Sequence, residues 1–441
     1  MEANFDIKEG MMRLSNSRLV LVAVYGMLLS YFYNLPALSY SARGNNELRI
    51  YDIAGLLVMW LYYKNFGLIN TIIRRRRTLN SLLLFLFWAS ITVNVTMAIS
   101  IIDEKIFWGL QSFLYLFHFW VFYIVTIFVI IIMQDLKQLT RLVNFILVAS
   151  SITFVIVILQ NFGLIPFLWN DSYLRNYDGF LSGTLGPNKI VLGMTCLMIF
   201  AFGIGLLNDP RVKINKLLLI TTILLSILVL IMSGSRTSYV GLLVFLGYFS
   251  IKETTSFFYS GILLAAMTVG LFVLNPEVIN KAVDVYEQRV EKKIDNPKEV
   301  EELQVDEMYE DLGSGRKQLS LLYINYLIDN PYIIPFGLGF NNRLALISSA
   351  HNAYLSLINE VGIVGTFLYF RWLFSYLRIK MPHFSKMRMA LKGLALAMIV
   401  TLFFGEHLYI YRPLFGLLGL YLFITTLLMS PMYILSHDDN T

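Results

Sequence analysis

The sequence is poor in two kinds of residue, cysteine and charged residues. It contains one cysteine in 441 residues, Cys196, so no disulfide can form within the chain. Charged residues make up 15% of the chain, against about 25% in an average soluble protein. These scarcities exclude a secreted disulfide scaffold and a disordered chain. Cys196 lies in an apolar stretch, which predicts a small packing residue.

Several catalytic and cofactor motifs are missing as well. The chain has no GxxxxGKS or GxxxxGKT loop for a nucleotide, no HExxH motif or cysteine cluster for zinc, and no GxSxG elbow. The loops expected on the extracytoplasmic side show no clear metal-binding pair of carboxylates. We therefore expect neither a cofactor nor a metal.

Apolar residues dominate the composition instead. The residues AVILMFWYC make up 57% of the chain, and the mean hydropathy is +0.65. No water-soluble fold can hide so much apolar surface, so a soluble enzyme is excluded. The net charge is +6, from 35 Lys and Arg against 29 Asp and Glu. Basic loops on one side of a membrane give such a balance, and we expect no nucleic-acid partner.

Long apolar runs predict the fold class. A helix needs about 20 apolar residues to cross the hydrocarbon core of a bilayer, where backbone polar groups must be satisfied within the protein. The runs lack the alternation of barrel strands. We therefore expect an all-α, polytopic integral membrane protein with about 12 transmembrane helices. The predicted spans are 19–40, 49–69, 79–102, 106–133, 142–163, 187–207, 217–234, 237–251, 256–275, 352–370, 389–411 and 413–434.

Lysine and arginine residues set the predicted orientation of the spans. Four consecutive arginines at 74–77 separate the second and third spans. Placing them in the cytoplasm also places most of the other basic loops and both termini there. The chain then divides into spans one to nine in 1–275, an extracytoplasmic helical loop at 276–350, and spans ten to twelve in 351–441.

The long loop is predicted to be helical in both of its halves. The part 281–311 is dense in Glu, Asp and Lys, with apolar residues at helical spacing, which predicts solvated amphipathic helices. A further helix is predicted from about Arg316 to Asp329, because Pro331 disfavours helix just before it. Its expected apolar face carries Leu319, Leu322, Tyr323 and Tyr326. The glycines of PFGLGF at 335–340 predict a turn against the membrane surface.

Arg236 is the first candidate functional residue. It lies in SGSRTS, the only connection between two short predicted spans, where Gly234 permits a tight turn. We expect so brief a link to dip into the outer leaflet and to place Arg236 in a wet cavity. Arg236 either binds an anionic group there or only extends to the outer headgroups. An outward-facing arginine opposes the positive-inside bias, which favours a function.

Arg316 is the second candidate, in GSGRKQ at 313–318. Glycine and serine precede a predicted helix start, which offers free N–H groups and a partial positive charge. A guanidinium adds a bidentate donor, and the combination suits a phosphate. The alternative is a capped surface helix with a solvated arginine, and the spacing alone does not choose between the two.

His351 is the third candidate and opens the tenth predicted span at the outer interface. An imidazole there can exchange protons near neutral pH, so His351 is predicted to take part in catalysis or substrate contact, with interfacial capping as the alternative. His407 is predicted to lie at the same face. His118 is in the middle of a span and is expected to be a packed or hydrogen-bonded core residue. Glu360 is expected to be buried and paired.

Three further residues are candidates for supporting roles: Asn352, Glu406 and Arg412. Asn352 is adjacent to His351, and the other two flank the outer end of the last two predicted spans. Glu406 and Arg412 either form a structural ion pair, which is slightly favoured, or interact with Arg236 and the substrate.

Four segments resemble motifs of the O-antigen polymerase and ligase superfamily, bacterial envelope polysaccharide enzymes that include the Wzy-type polymerases. The segments are SGSRTSYVGLL at 233–243, GSGRKQLSLLYINYLIDNPYIIPFGLGF at 313–340, HNAYLSLINEVGIVG at 351–365 and, more weakly, GTLGPNKIVLG at 183–193. The long outer loop is also a family trait. The stretch NPYIIPFGLGF is longer than the family's usual pattern, so we expect the loop after Pro331 to be built differently.

The resemblance implies a GT-C-type glycosyltransferase of the bacterial plasma membrane that uses undecaprenyl-diphosphate-linked sugars at the extracytoplasmic face. Arg236 and Arg316 match the family's diphosphate-holding arginines, and His351 matches the histidine that activates or positions the acceptor hydroxyl. The resemblance also implies inversion at the anomeric carbon without a metal. The implied partners are an undecaprenyl-diphosphate-linked oligosaccharide, the lipid bilayer, and flippase and chain-length regulator proteins.

The expected function is a polysaccharide polymerase that transfers glycan onto a lipid-linked repeat-unit acceptor, for a capsule, exopolysaccharide or O-antigen. One alternative is an O-antigen-type ligase, which differs only in its acceptor pocket. Another is a transporter or flippase of lipid-linked oligosaccharide, and a third is a scaffold or sensor. The candidate residues gather at the predicted outer face, whereas a transporter predicts charged residues distributed through the membrane. This distribution favours an enzyme.

Overall fold

The computed structural model describes most of the chain. The described residues are 2–34, 50–74, 76–166, 168, 182–186, 188–207, 209, 211–252, 261, 269–270, 316–342, 350–409 and 416–430. Most of the predicted span 256–275, the loop half 281–311 and Arg412 lie outside these residues.

Fourteen helices and no β-strand are found in the described part of the chain. Eleven of the twelve predicted apolar runs coincide with at least one of these helices. The helices are α1 (Glu2–Ser15), α2 (Arg18–Phe32), α3 (Ile50–Lys64), α4 (Phe66–Arg74), α5 (Arg77–Ile102), α6 (Ile106–Ile132), α7 (Leu136–Asn161), α8 (Lys189–Leu206), α9 (Lys216–Met232), α10 (Arg236–Lys252), α11 (Arg316–Asp329), α12 (Ala353–Leu377), α13 (Ser385–Thr401) and α14 (Gly416–Leu428).

By total length and composition alone, six of these helices qualify as membrane spans, namely α5, α6, α7, α8, α12 and α13. The number rises to eight if the bent pairs α1–α2 and α3–α4 each form one span. The helices α9, α11 and α14 are apolar but shorter. Within the described residues the all-α membrane fold is therefore confirmed, and the total of 12 spans and the GT-C type stay predictions.

Three predicted spans are interrupted rather than continuous, namely 49–69, 389–411 and 352–370. The run 49–69 contains the end of α3 at Lys64, where the chain bends by 91° into α4. Asn65 at the bend donates from its side-chain amide to the Leu61 carbonyl (2.8 Å), which satisfies a C-terminal acceptor of α3. The run 389–411 also breaks, because α13 ends at Thr401 and the next residues form a short 3₁₀ turn.

The tenth predicted span, 352–370, is wrong as a straight helix, because α12 breaks at Gly362. The backbone of Gly362 has φ 69° and ψ −176°, which is not helical. Tyr354 and Phe370 are sixteen residues apart, or about 24 Å along a continuous helix. Their rings are nevertheless stacked with centroids 4.4 Å apart. The first half of α12 (353–361) therefore folds back over the second half (363–377).

The segment 334–341 fills the break in α12. The Leu338 and Gly339 N–H groups donate to the last carbonyls of the first half, at Asn359 and Glu360, over 2.8 Å each. On the other side of the break, the Ile363 N–H donates to the Ile334 carbonyl (2.8 Å). A helix break inside a membrane protein leaves backbone groups that need partners from the protein itself, and this segment supplies them.

The turn predicted at PFGLGF is present, and its second half is buried. Phe340 is fully buried, and its carbonyl accepts a hydrogen bond from Thr96 Oγ1 of α5 (2.8 Å). Gly337 has φ 77°, and a Cβ there would lie 2.3 Å from the Glu360 carbonyl oxygen. This second half lies between α5, α6 and α12, because glycine permits the close backbone approach, whereas Phe336 is 61% exposed.

Helix α11 begins at Arg316 and ends at Asp329, just before Pro331, as the sequence predicts. Its expected apolar face is only partly right. Tyr323 is buried and packs with Ala350 and Leu355 at the start of α12, whereas Leu322 is 45% exposed. This contact places α11 beside the N-terminal end of α12.

Candidate functional site

Arg236 is the first residue of α10, directly after a turn of three residues. Gly234 in this turn has φ 60°, a conformation that favours glycine, so the predicted tight turn is confirmed. The flanking Ser233 and Ser235 are buried, and Ser235 Oγ bonds Ser238 Oγ over 2.8 Å. The Arg236 side chain itself is exposed. The turn is thus held by hydrogen bonds between its own serines, and the Arg236 side chain that follows it is exposed.

The turn at 233–235 packs against α8 at Gly193. A Cβ on Gly193 would lie 2.3 Å from Ser238 Oγ and 3.1 Å from Ser233 Oγ. Glycine at this position therefore lets the two helices approach until the hydroxyl groups touch the α8 backbone. Asn188 caps α8 one turn earlier, accepting from the Ile190 N–H over 2.8 Å. The weaker motif at 183–193 thus supports the turn that carries Arg236.

Arg316 is the first residue of α11, and its side chain lies outside the described part of the structure. It precedes Tyr323 by seven residues, about 10 Å along the helix. Because Tyr323 packs at the start of α12, the backbone of Arg316 lies at the same end of the bundle as His351. Its role in holding a diphosphate stays a prediction.

His351 lies just before α12 and is exposed. Its φ of 49° is in the left-handed region, which few residues other than glycine adopt, although histidine is enriched there. Strained conformations of this kind are concentrated at functional sites. Asn352 follows it as the N-cap of α12 and accepts from the Tyr354 and Leu355 N–H groups over 3.0 and 3.3 Å. Asn352 therefore fixes the backbone that presents His351.

Arg236 and His351 each precede a helix that packs beside the last turns of α13. Gly241, five residues after Arg236, lies so close that a Cβ would be 3.0 Å from a methyl of the last residue of α13. Tyr354, three residues after His351, donates from its hydroxyl to the Ile399 carbonyl over 2.9 Å. Both candidates thus precede helices that pack on the same segment of α13.

Two buried glutamates connect α12 to the segment that follows α13. Glu406 is 4% exposed and accepts a hydrogen bond from Ser356 Oγ, five residues after His351. Glu360 is 2% exposed, and its Oε2 accepts from the Tyr409 hydroxyl (2.8 Å) and the Asn341 N–H (2.9 Å). The prediction that Glu360 is buried and paired is confirmed. The pairing of Glu406 with Arg412 stays a prediction, since Arg412 is not described.

His407 does not match its prediction. It is 2% exposed, and its Nε2 bonds Thr401 Oγ1 over 3.0 Å. Burial lowers the pKa of His407 to about 3, so the imidazole is neutral at physiological pH. The prediction that His407 exchanges protons near neutral pH is wrong, because the chain folds back into the bundle after α13.

One polar pair was missed by the sequence analysis. His118 Nε2 of α6 bonds Asp52 Oδ1 of α3, and both side chains are buried. The packed and hydrogen-bonded state predicted for His118 is confirmed. The sequence contains a clue to this pair, because Asp52 is an aspartate in an otherwise apolar run and therefore needs a buried partner.

Comparison with known protein families finds a match over the part of the chain that holds the three main candidate residues. A family model described as O-antigen ligase matches residues 221–370. The matched region contains Arg236, Arg316 and His351 and ends before Glu406. No curated protein matches the chain. The resemblance to the O-antigen polymerase and ligase superfamily is confirmed by this match.

Proposed function

We propose that the protein is a membrane glycosyltransferase that polymerises lipid-linked repeat units. The basis is that residues 221–370 match a family model described as O-antigen ligase. The donor is an undecaprenyl-diphosphate-linked glycan, and the acceptor is a lipid-linked repeat unit at the extracytoplasmic face. The observation that carries the proposal is the family match over all three main motifs. The packing of both following helices, α10 and α12, on the same segment of α13 supports it.

The reaction joins the acceptor oxygen to the anomeric carbon of the donor sugar. The bond from that carbon to the diphosphate oxygen breaks, and the diphosphate leaves with the electron pair. Attack from the face opposite the leaving group inverts the anomeric carbon. The acceptor hydroxyl loses its proton to His351, a step worth about 10²–10⁴-fold in rate for a positioned base.

The two arginines act on the leaving group. Negative charge grows on the diphosphate as the bond breaks, and Arg236 and Arg316 stabilise it with bidentate hydrogen bonds. Removing one such donor typically costs about 3 kcal/mol of transition-state stabilisation. Much of the remaining acceleration comes from holding two membrane-tethered sugars in line.

A ligase is the second candidate, because the matching family model is described as O-antigen ligase. A ligase performs the same bond exchange and differs in the acceptor, which receives the finished glycan. The two functions are separated by offering both acceptor types to the same preparation.

The test is reconstitution of the purified protein in liposomes with synthetic lipid-linked repeat units. We expect chain elongation in the presence of a chelator, since the proposed chemistry uses arginine and histidine side chains alone. Transfer only to a different acceptor would identify a ligase. Movement of lipid-linked sugar across the bilayer without new glycosidic bonds would identify a transporter.

Variants at the site make the test specific. His351→Asn should lower elongation by about 10²–10⁴-fold, and asparagine tolerates the left-handed backbone that His351 adopts. Arg236→Gln should lower it by about 10²–10³-fold. His383→Ala and Arg13→Gln remove exposed residues elsewhere and should leave elongation unchanged. Long polymer from both site variants would refute the assignment.

A further inference from the structure

A groove lies where α5 begins and α12 ends. Its volume is about 440 Å³, and it is open to the outside. Arg77, the first residue of α5, forms one side. Arg371 and Arg378, two turns apart on α12 and about 10 Å along its axis, form the other. The groove thus gathers three guanidinium groups that the proposed chemistry does not use.

The three arginines form a concentration of like charge. All three side chains are exposed, and within the described residues no carboxylate forms an ion pair with them. Guanidinium groups stay charged at any physiological pH, so they repel one another in a groove with low-dielectric walls. An anion bound between them removes this repulsion and makes bidentate hydrogen bonds.

The rest of the groove lining is mostly apolar, and two of its phenylalanines are exposed. Phe367 is 65% exposed and Phe374 is 45% exposed, and both line the groove. Phe367, Arg371, Phe374 and Arg378 lie at intervals of three or four residues, so they share one face of α12. A free phosphate would contact only the arginines, whereas a phospholipid would contact both kinds of side chain.

We propose that this groove binds an anionic glycerophospholipid. The phosphate lies between Arg77 and Arg378 at the helix ends, and Arg371 reaches toward it from one or two turns further in. The acyl chains run along Phe367 and Phe374. A basic pocket between membrane helices is an arrangement that suits an anionic headgroup. The proposal does not depend on the glycosyltransferase function, because none of these residues belongs to that site.

The test measures lipid binding to the full-length protein in nanodiscs and in detergent. Native mass spectrometry compares retention of phosphatidylglycerol and phosphatidylcholine. Each arginine should contribute about fivefold to the preference, so the triple variant of Arg77, Arg371 and Arg378 to Gln should lose about 100-fold. A matched variant that changes Arg13, Arg18 and Lys137 to Gln removes the same charge from exposed positions elsewhere.

The expected result is loss of the preference in the groove variant and its retention in the matched variant. An unchanged preference in the groove variant, or an equal loss in both, would overturn the proposal. Release of the lipid by inorganic phosphate would also overturn it, since the site would then hold a small anion. The single variants, each expected to lose about fivefold, keep the test decisive if the triple variant does not fold.

Discussion

At the scale of single residues, burial distinguishes two histidines that the sequence placed together. His351 is exposed on a strained backbone, whereas His407 is buried against Thr401. Only an accessible imidazole can exchange a proton with a substrate hydroxyl, so of these two histidines His351 is the one that fits the proposed base. The buried glutamates have a different role. Glu360 and Glu406 bond hydroxyl and N–H groups and position α12 and the segment after α13.

Burial of His407 predicts a pH dependence of stability. Its pKa is about 3 in the folded protein, against about 6.5 in an unfolded chain. Between these values the unfolded chain binds a proton that the folded protein excludes. The contribution of neutral His407 is therefore complete above about pH 6.5 and falls as the pH drops, by up to about 1.4 kcal/mol per pH unit.

Thermal unfolding in detergent between about pH 7 and pH 4.5 measures this loss. His407→Gln should unfold with a weaker dependence on pH, because glutamine does not titrate and can still bond Thr401. The exposed His383→Gln is the matched control and should behave as the wild type. Equal pH dependence in wild type and His407→Gln would contradict the assignment.

At the scale of elements, the break in α12 is the feature that shapes the site. The first half of α12 begins at the N-cap Asn352, directly after His351, and ends where the segment 334–341 satisfies its last carbonyls. The same segment bonds the first N–H groups of the second half. The two halves therefore depend on one another through a third piece of chain, and the position of His351 depends on all three.

Gly362→Ala tests this dependence. The φ of 69° with ψ near 180° is a conformation that only glycine adopts readily, and a Cβ would lie 2.4 Å from the Pro335 carbonyl oxygen. We expect a loss of at least about 2 kcal/mol in the free energy of unfolding, measured by denaturation in detergent.

Gly247→Ala provides the control for this substitution. Gly247 is within α10, and no atom lies within 4 Å of a Cβ built there. Alanine should therefore be neutral or should stabilise α10 by up to about 1 kcal/mol, from helix propensity. If Gly362→Ala is as stable as Gly247→Ala, the break is not constrained as described.

At the scale of the whole molecule, the arginine groove marks the end of the bundle where α5 begins and α12 ends. Helix α12 runs along α5, with Trp88 Nε1 donating to the Val361 carbonyl (2.8 Å), and ends near Arg77. The positive-inside rule then predicts that the groove faces the cytoplasm and that the other end of α5, at Asp103, faces outward.

Cysteine labelling tests this orientation. Cys196 is the only natural cysteine and is buried, so the background is low. A membrane-impermeant thiol reagent should label Asp103→Cys, at the end of α5 away from Arg77, in intact cells. Lys380→Cys, at the Arg77 end, should be labelled only after permeabilisation. Both positions are exposed, so the reverse pattern would show that the predicted orientation is wrong.

The sequence by itself determined the helices, because apolar runs of sufficient length and stop residues such as Pro331 act locally. It also determined which residues to examine, since charged groups beside apolar runs are costly. The tertiary structure decided the break at Gly362, the insertion of 334–341 and the burial of His407. These features depend on backbone groups and side chains that are far apart along the chain and whose unpaired hydrogen bonds are satisfied only where the helices pack together.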